Sequence, residues 1–201
     1  SLSRHPGLDA VVLQEPEKGT GCAADTGFRY AIQQGAEIVY RTDADCLPRP
    51  TWLEEIKCFM EDRDLDAAGG RLEIRTDDVN LNWLQLLPSR LGIRLIPWVG
   101  RIITSNRGEG YLSPYVLLPG PNVAIRSEAY VSCGGYPRQS FDHEFLDKAI
   151  ANALRRVTPR IGVARRAVVL YSERRTEAYG ILGAIRWLLD RSGREGATDV
   201  R

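Results

Sequence analysis

The chain has 201 residues, of which 43% are hydrophobic and 26% are charged. These proportions are ordinary for a globular protein, and a chain of this length usually forms one compact domain. The 27 Lys and Arg residues nearly balance the 26 Asp and Glu residues, which leaves a formal net charge of +1. This balance excludes a global attraction to nucleic acid or to an anionic membrane, so any anion site must be local.

The cysteine and hydropathy patterns favour a soluble chain in a reducing compartment. The four cysteines form no Cys-x-x-Cys pair, which argues against a zinc site and gives no disulfide framework. No stretch approaches about 18 uninterrupted apolar residues, and the first residues lack the apolar core of a signal peptide. We therefore expect a cytoplasmic protein, with a peripheral contact at the inner face of the membrane as an open alternative.

Three strands are expected in residues 1–75. The apolar run at 10–13 predicts a buried strand, the short run at 38–40 predicts a strand covered on both faces, and 66–75 predicts a third. Two segments with helical periodicity lie between these three runs. The resulting β-α-β-α-β order implies a parallel sheet with right-handed crossovers.

The two intervening helices carry recognisable start and stop signals. The first has an apolar face that includes Phe28, and Gly35 is well placed to end it. The second begins with the capping-box pattern of Thr51 followed by Glu54, and its predicted apolar stripe consists of Leu53, Ile56 and Met60.

Residues 76–175 predict a less regular second half. An irregular insertion is expected over 80–115, because Pro88, Pro97 and several glycines interrupt its helical pattern. The elements expected beyond it are a strand at 122–126, a short helix capped by Ser127 and ended by Gly134 and Gly135, a helix at 142–155, and a strand at 167–171. An amphipathic helix and a frayed tail complete the chain.

Two carboxylates, Asp43 and Asp45, directly follow the strand predicted at 38–40. Because one residue separates them in extended backbone, they project to the same side and can share a divalent cation with a diphosphate. Ligands of open α/β sheets bind at the carboxyl ends of strands. A solvated Asp-rich turn is the alternative reading of so short a motif.

Four motifs, taken together and in this order, resemble family 2 glycosyltransferases of the GT-A fold. They are Glu17-Lys18-Gly19-Thr20-Gly21 with Asp25-Thr26-Gly27, the stretch Arg41 to Leu53 around Asp43-Ala44-Asp45, the stretch Gly120 to Arg126 with Gly134-Gly135-Tyr136, and Phe141-Asp142-His143-Glu144-Phe145. The resemblance implies an α/β fold with a mostly parallel, mixed central sheet flanked by helices. It divides a single domain, 1–201, into a Rossmann-like nucleotide-sugar half at about 1–75, an acceptor and catalytic half at 76–175, and a C-terminal helix and tail at 176–201.

The resemblance also implies a chemistry. A metal-dependent, inverting transferase would move a sugar from a nucleoside-diphosphate sugar to a hydroxyl of a sugar, lipid or small-molecule acceptor in glycan or cell-wall biosynthesis, with no nucleic-acid partner. Asp43 and Asp45 would hold Mg²⁺ or Mn²⁺, and Asp142 would be the catalytic base. The other donor-binding residues implied are Lys18, Gly19, Gly21, Asp25, Arg174 and Arg175, and the acceptor-side residues are Asn122, Gly134, Gly135 and His143.

The sequence departs from the family in two places. Phe141 stands where relatives have Glu, which leaves Asp142 as the matching base and Glu144 as the second choice. The family's first strand, which contacts the nucleotide base, is not found in this sequence, so it is expected either upstream of Ser1 or not at all. Two rival functions therefore stay open: a nucleotidyltransferase, which is expected to carry a basic glycine-rich loop at its start, and a truncated or degenerate transferase that acts as a binding module.

Overall fold

The computed structural model describes residues 10–79, 83–102, 108–138, 146–174 and 177. In chain order its elements are α1 (Thr20–Gln33), β1 (Ile38–Arg41), β2 (Leu47–Pro48), α2 (Trp52–Asp62), β3 (Ala67–Ile74), α3 (Trp83–Ile102), β4 (Val123–Arg126), α4 (Ser127–Ser132), α5 (Leu146–Val157) and β5 (Ile161–Tyr171).

The strands form one mixed sheet in the order β1-β4-β3-β5-β2. β4 is antiparallel to both β1 and β3, β5 is parallel to β3, and β2 is antiparallel to β5. β1, β3 and β5 therefore point the same way, and we call the side of the sheet where they end the carboxyl edge. The predicted α/β class with a mixed sheet is confirmed. The sheet is not mostly parallel as expected, because only β3 and β5 pair in parallel. β4 separates β1 from β3, so these two do not pair directly as the helix–strand alternation implied.

Two hydrophobic clusters cover the two faces of this sheet. Adjacent residues of β3, Ala67 and Ala68, belong to different clusters, as do Val123 and Ala124 of β4. This division arises because successive side chains of a strand point to opposite faces. Helices α1, α4 and α5 contribute to the first cluster, and α2 contributes to the second.

Helix α1 ends where the sequence predicts. Gly35 has a φ of 89°, a conformation that side chains rarely adopt. The Gly35 N–H donates to the Ile32 carbonyl at 2.9 Å, and the Ala36 N–H donates to the Ala31 carbonyl at 3.0 Å. These are the two hydrogen bonds of a Schellman motif, which satisfies the last helical carbonyls.

Helix α2 is confirmed, but its buried face is rotated from the prediction. Trp52, Ile56 and Met60 form the buried row, whereas Leu53 is 51% exposed. The row follows i, i+4, i+8 spacing, which leaves Leu53 on the solvent side. Thr51 makes no side-chain cap hydrogen bond, because its backbone (φ −89°, ψ 6°) is not in the extended conformation that capping requires.

Two sequence expectations are wrong. Residues 10–13 form no strand, and Val12 is 79% exposed, because the segment has neither a paired neighbour nor a covering layer among the described residues. Residues 83–102 form one helix instead of an irregular insertion, although Pro88 and Pro97 lie within it. Leu86 of this helix is buried, and packing of this kind stabilises a helix more than intrinsic propensity does. No helix in the described ranges is both long and apolar enough to cross a bilayer.

The remaining elements agree with the sequence, with shifted bounds. The Asn122 N–H donates to the Pro119 carbonyl at 2.8 Å, which closes the predicted turn before β4. Ser127 is the first residue of α4 and hydrogen-bonds the Ala36 carbonyl instead of capping the helix. β5 begins six residues before the predicted Ala167.

Candidate functional site

Asp43 and Asp45 lie in the turn that follows β1, at the carboxyl edge. The Asp43 side chain is 38% exposed, and Asp45 is exposed. The Cys46 N–H donates to the Asp43 carbonyl at 3.1 Å, which closes the turn. Burial and the two neighbouring carboxylates raise the pKa of the Cys46 thiol to about 12, so this cysteine stays protonated. The turn thus presents two carboxylates to solvent.

Arg41, the last residue of β1, holds the first of these carboxylates. Its Nη2 donates to Asp43 Oδ1 at 3.1 Å, and its guanidinium lies 5.5 Å from the centre of the Tyr136 ring. The Arg41 side chain is only 15% exposed. Its Nη1 and the Tyr136 hydroxyl are both buried with no hydrogen-bond partner among the described residues. The largely buried Arg41 therefore orients the Asp43 side chain, in addition to the turn in which Asp43 lies.

Asp147, in the first turn of α5, is a site carboxylate that the sequence reasoning missed. Burial raises the pKa of Asp147, and the Gly120 N–H and Arg41 partly offset this rise. A Cβ at position 120 would lie 2.8 Å from Asp147 Oδ1 and 3.0 Å from Arg41 Nη1, so a side chain there would displace these two groups. In the sequence, only the motif that contains Gly120 pointed to this place. Asp147 itself could not be found from the sequence, because the tertiary fold brings α5 near the end of β1.

A second group of charges lies on the same edge, after β3 and β5. Arg75 donates two hydrogen bonds to Asp77, at 2.8 and 2.9 Å. Arg174, which the family resemblance implies as a donor-binding residue, has its Nε 3.5 Å from Asp78 Oδ2. The Arg75 Nε is 3.9 Å from the same oxygen. Arg75 and Asp78 were not singled out from the sequence, since nothing local marks them.

Asp25 is the buried centre of a polar network. Its side chain is fully buried and accepts hydrogen bonds from the Tyr130 hydroxyl at 2.8 Å, from Arg29 Nε at 2.8 Å and from Arg138 Nη1 at 3.3 Å. The Tyr130 hydroxyl in turn accepts from the Tyr136 N–H at 3.0 Å. Asp25 therefore fixes the segment 134–138 against α1, and its predicted contact with a donor stays a prediction.

The predicted glycines owe their identity to this same packing. A Cβ at Gly21 would lie 2.4 Å from the Pro137 carbonyl oxygen, and one at Gly135 would lie 2.7 Å from Asp25 Oδ1. Gly134 and Gly135 both have positive φ, 88° and 81°. They line a cleft of about 330 Å³ together with Arg29 and residues of α5.

No hydrogen bond or ion pair joins the two aspartates to the other predicted residues that the structure describes. Lys18 is exposed in the segment before α1, and Gly19, with φ 143°, immediately precedes that helix. Asn122 is completely buried beneath the sheet, so its side chain faces no open surface. Asp142, His143, Glu144 and Arg175 lie outside the described residues.

Few described side chains near the two aspartates could act as metal ligands. No group of three or more His, Cys, Asp or Glu side chains able to hold a metal occurs in the part of the chain that the structure describes. Asp43 and Asp45 would therefore supply two protein ligands at most among these residues. Carboxylate oxygens suit Mg²⁺ or Mn²⁺, which commonly complete their coordination with phosphate oxygens and water.

A model of the family described as glycosyl transferase family 2 matches residues 5–130. The chain belongs to this family. Within the matched region lie α1 with Asp25, both aspartates of the β1 turn, and Asn122. The matched region thus contains the predicted donor-binding residues of α1 and of the β1 turn, while Asp142, Asp147 and Arg174 lie beyond it.

The chain is also similar to solved structures. The chain is similar to the crystal structure of S. aureus TarS 1-349 in complex with UDP-GlcNAc, with 14% sequence identity and a TM-score of 0.47. The likeness covers 82% of this chain and 41% of the TarS chain, so this chain spans less than half of that protein. No curated protein matches the chain.

Proposed function

We propose that this chain is a metal-dependent glycosyltransferase that moves a sugar from a nucleoside-diphosphate sugar to an acceptor hydroxyl. The observation that carries the proposal is the pair Asp43 and Asp45 at the carboxyl edge of the sheet in a chain of glycosyl transferase family 2. Ligands of open α/β sheets bind at this edge, where the strands end. The exposed turn leaves room for a diphosphate beside the two carboxylates.

The residues present fit a divalent cation. Asp45 is exposed, and Asp43 keeps one oxygen free of the Arg41 hydrogen bond. A bound Mg²⁺ or Mn²⁺ would supply charge neutralisation for the diphosphate as it leaves. Arg41 would keep Asp43 in a fixed orientation, so that the carboxylate needs little reorganisation on binding.

We assign the role of catalytic base to Asp142. Its carboxylate would accept the proton of the acceptor hydroxyl while the hydroxyl oxygen forms a bond to the anomeric carbon and the bond from that carbon to the diphosphate oxygen breaks. The products are the glycosylated acceptor and the nucleoside diphosphate, and the configuration at the anomeric carbon is inverted. His143, Gly134 and Gly135 would lie on the acceptor side, and Asn122 would support that side from below.

The donor would also contact Lys18, Gly19 and Gly21 before and within α1, with Asp25 holding this region to the segment 134–138. Arg174 and Arg175 would lie near the leaving diphosphate. Lys18 is exposed and Arg174 is half exposed, as a contact with a bound donor requires. An acceptor lipid or sugar at a membrane surface is consistent with these positions.

The test is release of nucleoside diphosphate from a panel of nucleotide sugars, with Mg²⁺, with Mn²⁺ and with EDTA. We expect turnover that requires the metal. Turnover undiminished by EDTA contradicts metal dependence. Binding of nucleotide sugars without any release, in the presence of metal and a broad set of acceptors, favours the non-catalytic binding module instead.

A further inference from the structure

The strand register brings Arg75 and Arg174 to one place on the carboxyl edge. Ile74 pairs with Tyr171 in the parallel β3–β5 ladder, and the Arg75 N–H donates to the Tyr171 carbonyl at 2.9 Å. Both arginines follow these paired strand ends, and both guanidinium groups face the carboxylate of Asp78. Two cations thus converge on a single oxygen, Asp78 Oδ2.

The carboxylate of Asp78 is in an unfavourable setting. Its side chain is 7% exposed, and neither of its oxygens has a hydrogen-bond partner among the described residues. Its ion pairs with Arg174 and Arg75 are long, at 3.5 and 3.9 Å, whereas charge-assisted hydrogen bonds are usually about 2.7–2.9 Å. Removing a carboxylate from water costs free energy that such contacts repay poorly. Arg174 can therefore bind a better anion than Asp78, and Arg75, whose Nε and Nη2 hold Asp77 at 2.8 and 2.9 Å, adds its positive charge beside it.

The same edge carries the aspartates of the proposed metal site. Leu47 of β2 pairs with Leu170 of β5, so the chain just before β2, at Asp45, approaches the chain that follows Tyr171. β2, β5 and β3 are consecutive in the sheet, which puts Asp45 and Arg75 about two strand spacings, roughly 10 Å, apart. The carboxylate of Asp45 is also among the groups that raise the pKa of Arg75, after the larger effect of the Asp77 hydrogen bond. A diphosphate at Asp45 is therefore within reach of both arginines.

We propose that Arg75 and Arg174 form a phosphate site for the diphosphate of the donor, and that the carboxylate of Asp78 occupies this site when no donor is bound. The inference rests on the proposed function, because it takes the donor to be a nucleoside diphosphate. A phosphate group offers more acceptor oxygens and more charge than one carboxylate, so it displaces Asp78 from the guanidinium groups. Asp78 thus weakens donor binding by competition.

The experiment measures binding of two probes, inorganic pyrophosphate and uridine diphosphate, by calorimetry in Mg²⁺. The variant is Asp78→Asn, which keeps the side-chain shape and removes the charge. The matched control is Asp64→Asn, since Asp64 is 78% exposed at the opposite end of β3 and has a φ of 50°, which Asn tolerates. Both variants change the net charge equally, so only a local effect separates them.

We expect Asp78→Asn to bind pyrophosphate about three- to tenfold more tightly than the wild type, and Asp64→Asn to bind it unchanged. In an Arg174→Gln background the probe should bind more weakly, and the gain from Asp78→Asn should disappear. Equal or weaker binding by Asp78→Asn, or a full gain that persists without Arg174, overturns the inference and leaves the proposed function standing. If neither probe binds the wild type or Asp78→Asn, the proposed function fails as well.

Discussion

The indole N–H of Trp52 donates a hydrogen bond to the side-chain oxygen of Asn122 at 2.8 Å, and both residues are buried. The Asn122 amide nitrogen donates to the carbonyls of Arg71 and Ala167, each at 2.9 Å. These carbonyls flank the register shift between β3 and β5, which follows Gly70. The Asn122 side chain therefore supplies hydrogen bonds to the backbone at the irregular part of the sheet and links this part to α2.

We predict that Asn122→Asp destabilises the fold by about 2–4 kcal/mol. The substitution replaces the donating amide nitrogen with an oxygen that faces two carbonyls, and buried groups left without partners cost about 1–3 kcal/mol each. The measurement is the free energy of unfolding in urea. Gln33→Glu, the same chemical change at an exposed position of α1, should shift it by less than about 0.5 kcal/mol. A small effect of Asn122→Asp would contradict the role given to this hydrogen-bond network.

Local signals predicted much of the fold and the position of the two aspartates after a strand. Gly35 ends α1 through its own backbone conformation, and Asp43 and Asp45 follow a strand because a short apolar run precedes them. Asn122 was assigned to the acceptor side from its motif, but its burial depends on Trp52, which lies 70 positions away in the chain. No sequence window contains that contact.

The same limit applies to the charges around the aspartates. Asp147 feels the charge of Arg41 because the fold brings the start of α5 and the end of β1 close to Gly120, and Asp78 meets Arg174 because β3 and β5 are parallel neighbours. The error at 83–102 has the same origin. Pro88 and Pro97 disfavour a helix on local propensity, and the packing that stabilises the helix despite them is tertiary and not visible in the sequence.

Metal binding should depend on the exposed carboxylate of the turn. We predict that Asp45→Asn abolishes Mg²⁺-dependent binding of uridine diphosphate while the free energy of unfolding stays within about 0.5 kcal/mol of the wild type. An amide keeps the side-chain shape but removes the charge that attracts the ion. Calorimetry with and without EDTA measures the binding, and Asp64→Asn controls for net charge. Full metal-dependent binding by Asp45→Asn would place the ion elsewhere.

Gly120→Ala tests the link between α5 and the aspartates. The added Cβ would lie 2.8 Å from Asp147 Oδ1 and 3.0 Å from Arg41 Nη1, so Arg41 must move, and Asp43 with it. We expect a loss of about 1–3 kcal/mol in unfolding free energy and a weaker affinity for the metal. In the control Gly92→Ala, no described atom lies within 4 Å of the new Cβ in α3, and we expect neutral or improved stability with unchanged metal affinity.

Glu15 should make stability sensitive to acid. Hydrogen bonds from the Thr26 hydroxyl, the Glu17 N–H and Arg138 lower the pKa of Glu15 from 4.5 to about 2. Because the folded-state pKa is the lower one, the stabilisation is fully present above about pH 4.5 and is lost as the pH falls towards 2. Glu15→Gln should lower stability at pH 7 and flatten its decline between pH 4.5 and 2 in urea titrations. An unchanged pH profile would show that the carboxylate does not anchor the segment to Arg138.

The last prediction concerns the catalytic base. Asp142→Asn should preserve donor binding and lower the rate of sugar transfer by about 10²–10⁴-fold, the usual effect of losing a general base. Glu144→Gln should lower the rate much less.

Asp147→Asn is the informative comparison, because burial already raises the pKa of Asp147 and its oxygen lies close to Arg41 beside the metal motif. Since a positioning carboxylate acts through Arg41, Asp147→Asn should weaken metal affinity, whereas Asp142→Asn should leave that affinity intact. The contrary result is that Asp142→Asn transfers sugar at the wild-type rate while only Asp147→Asn loses activity at saturating metal. The catalytic base would then be Asp147 in α5 and not Asp142 in the family motif.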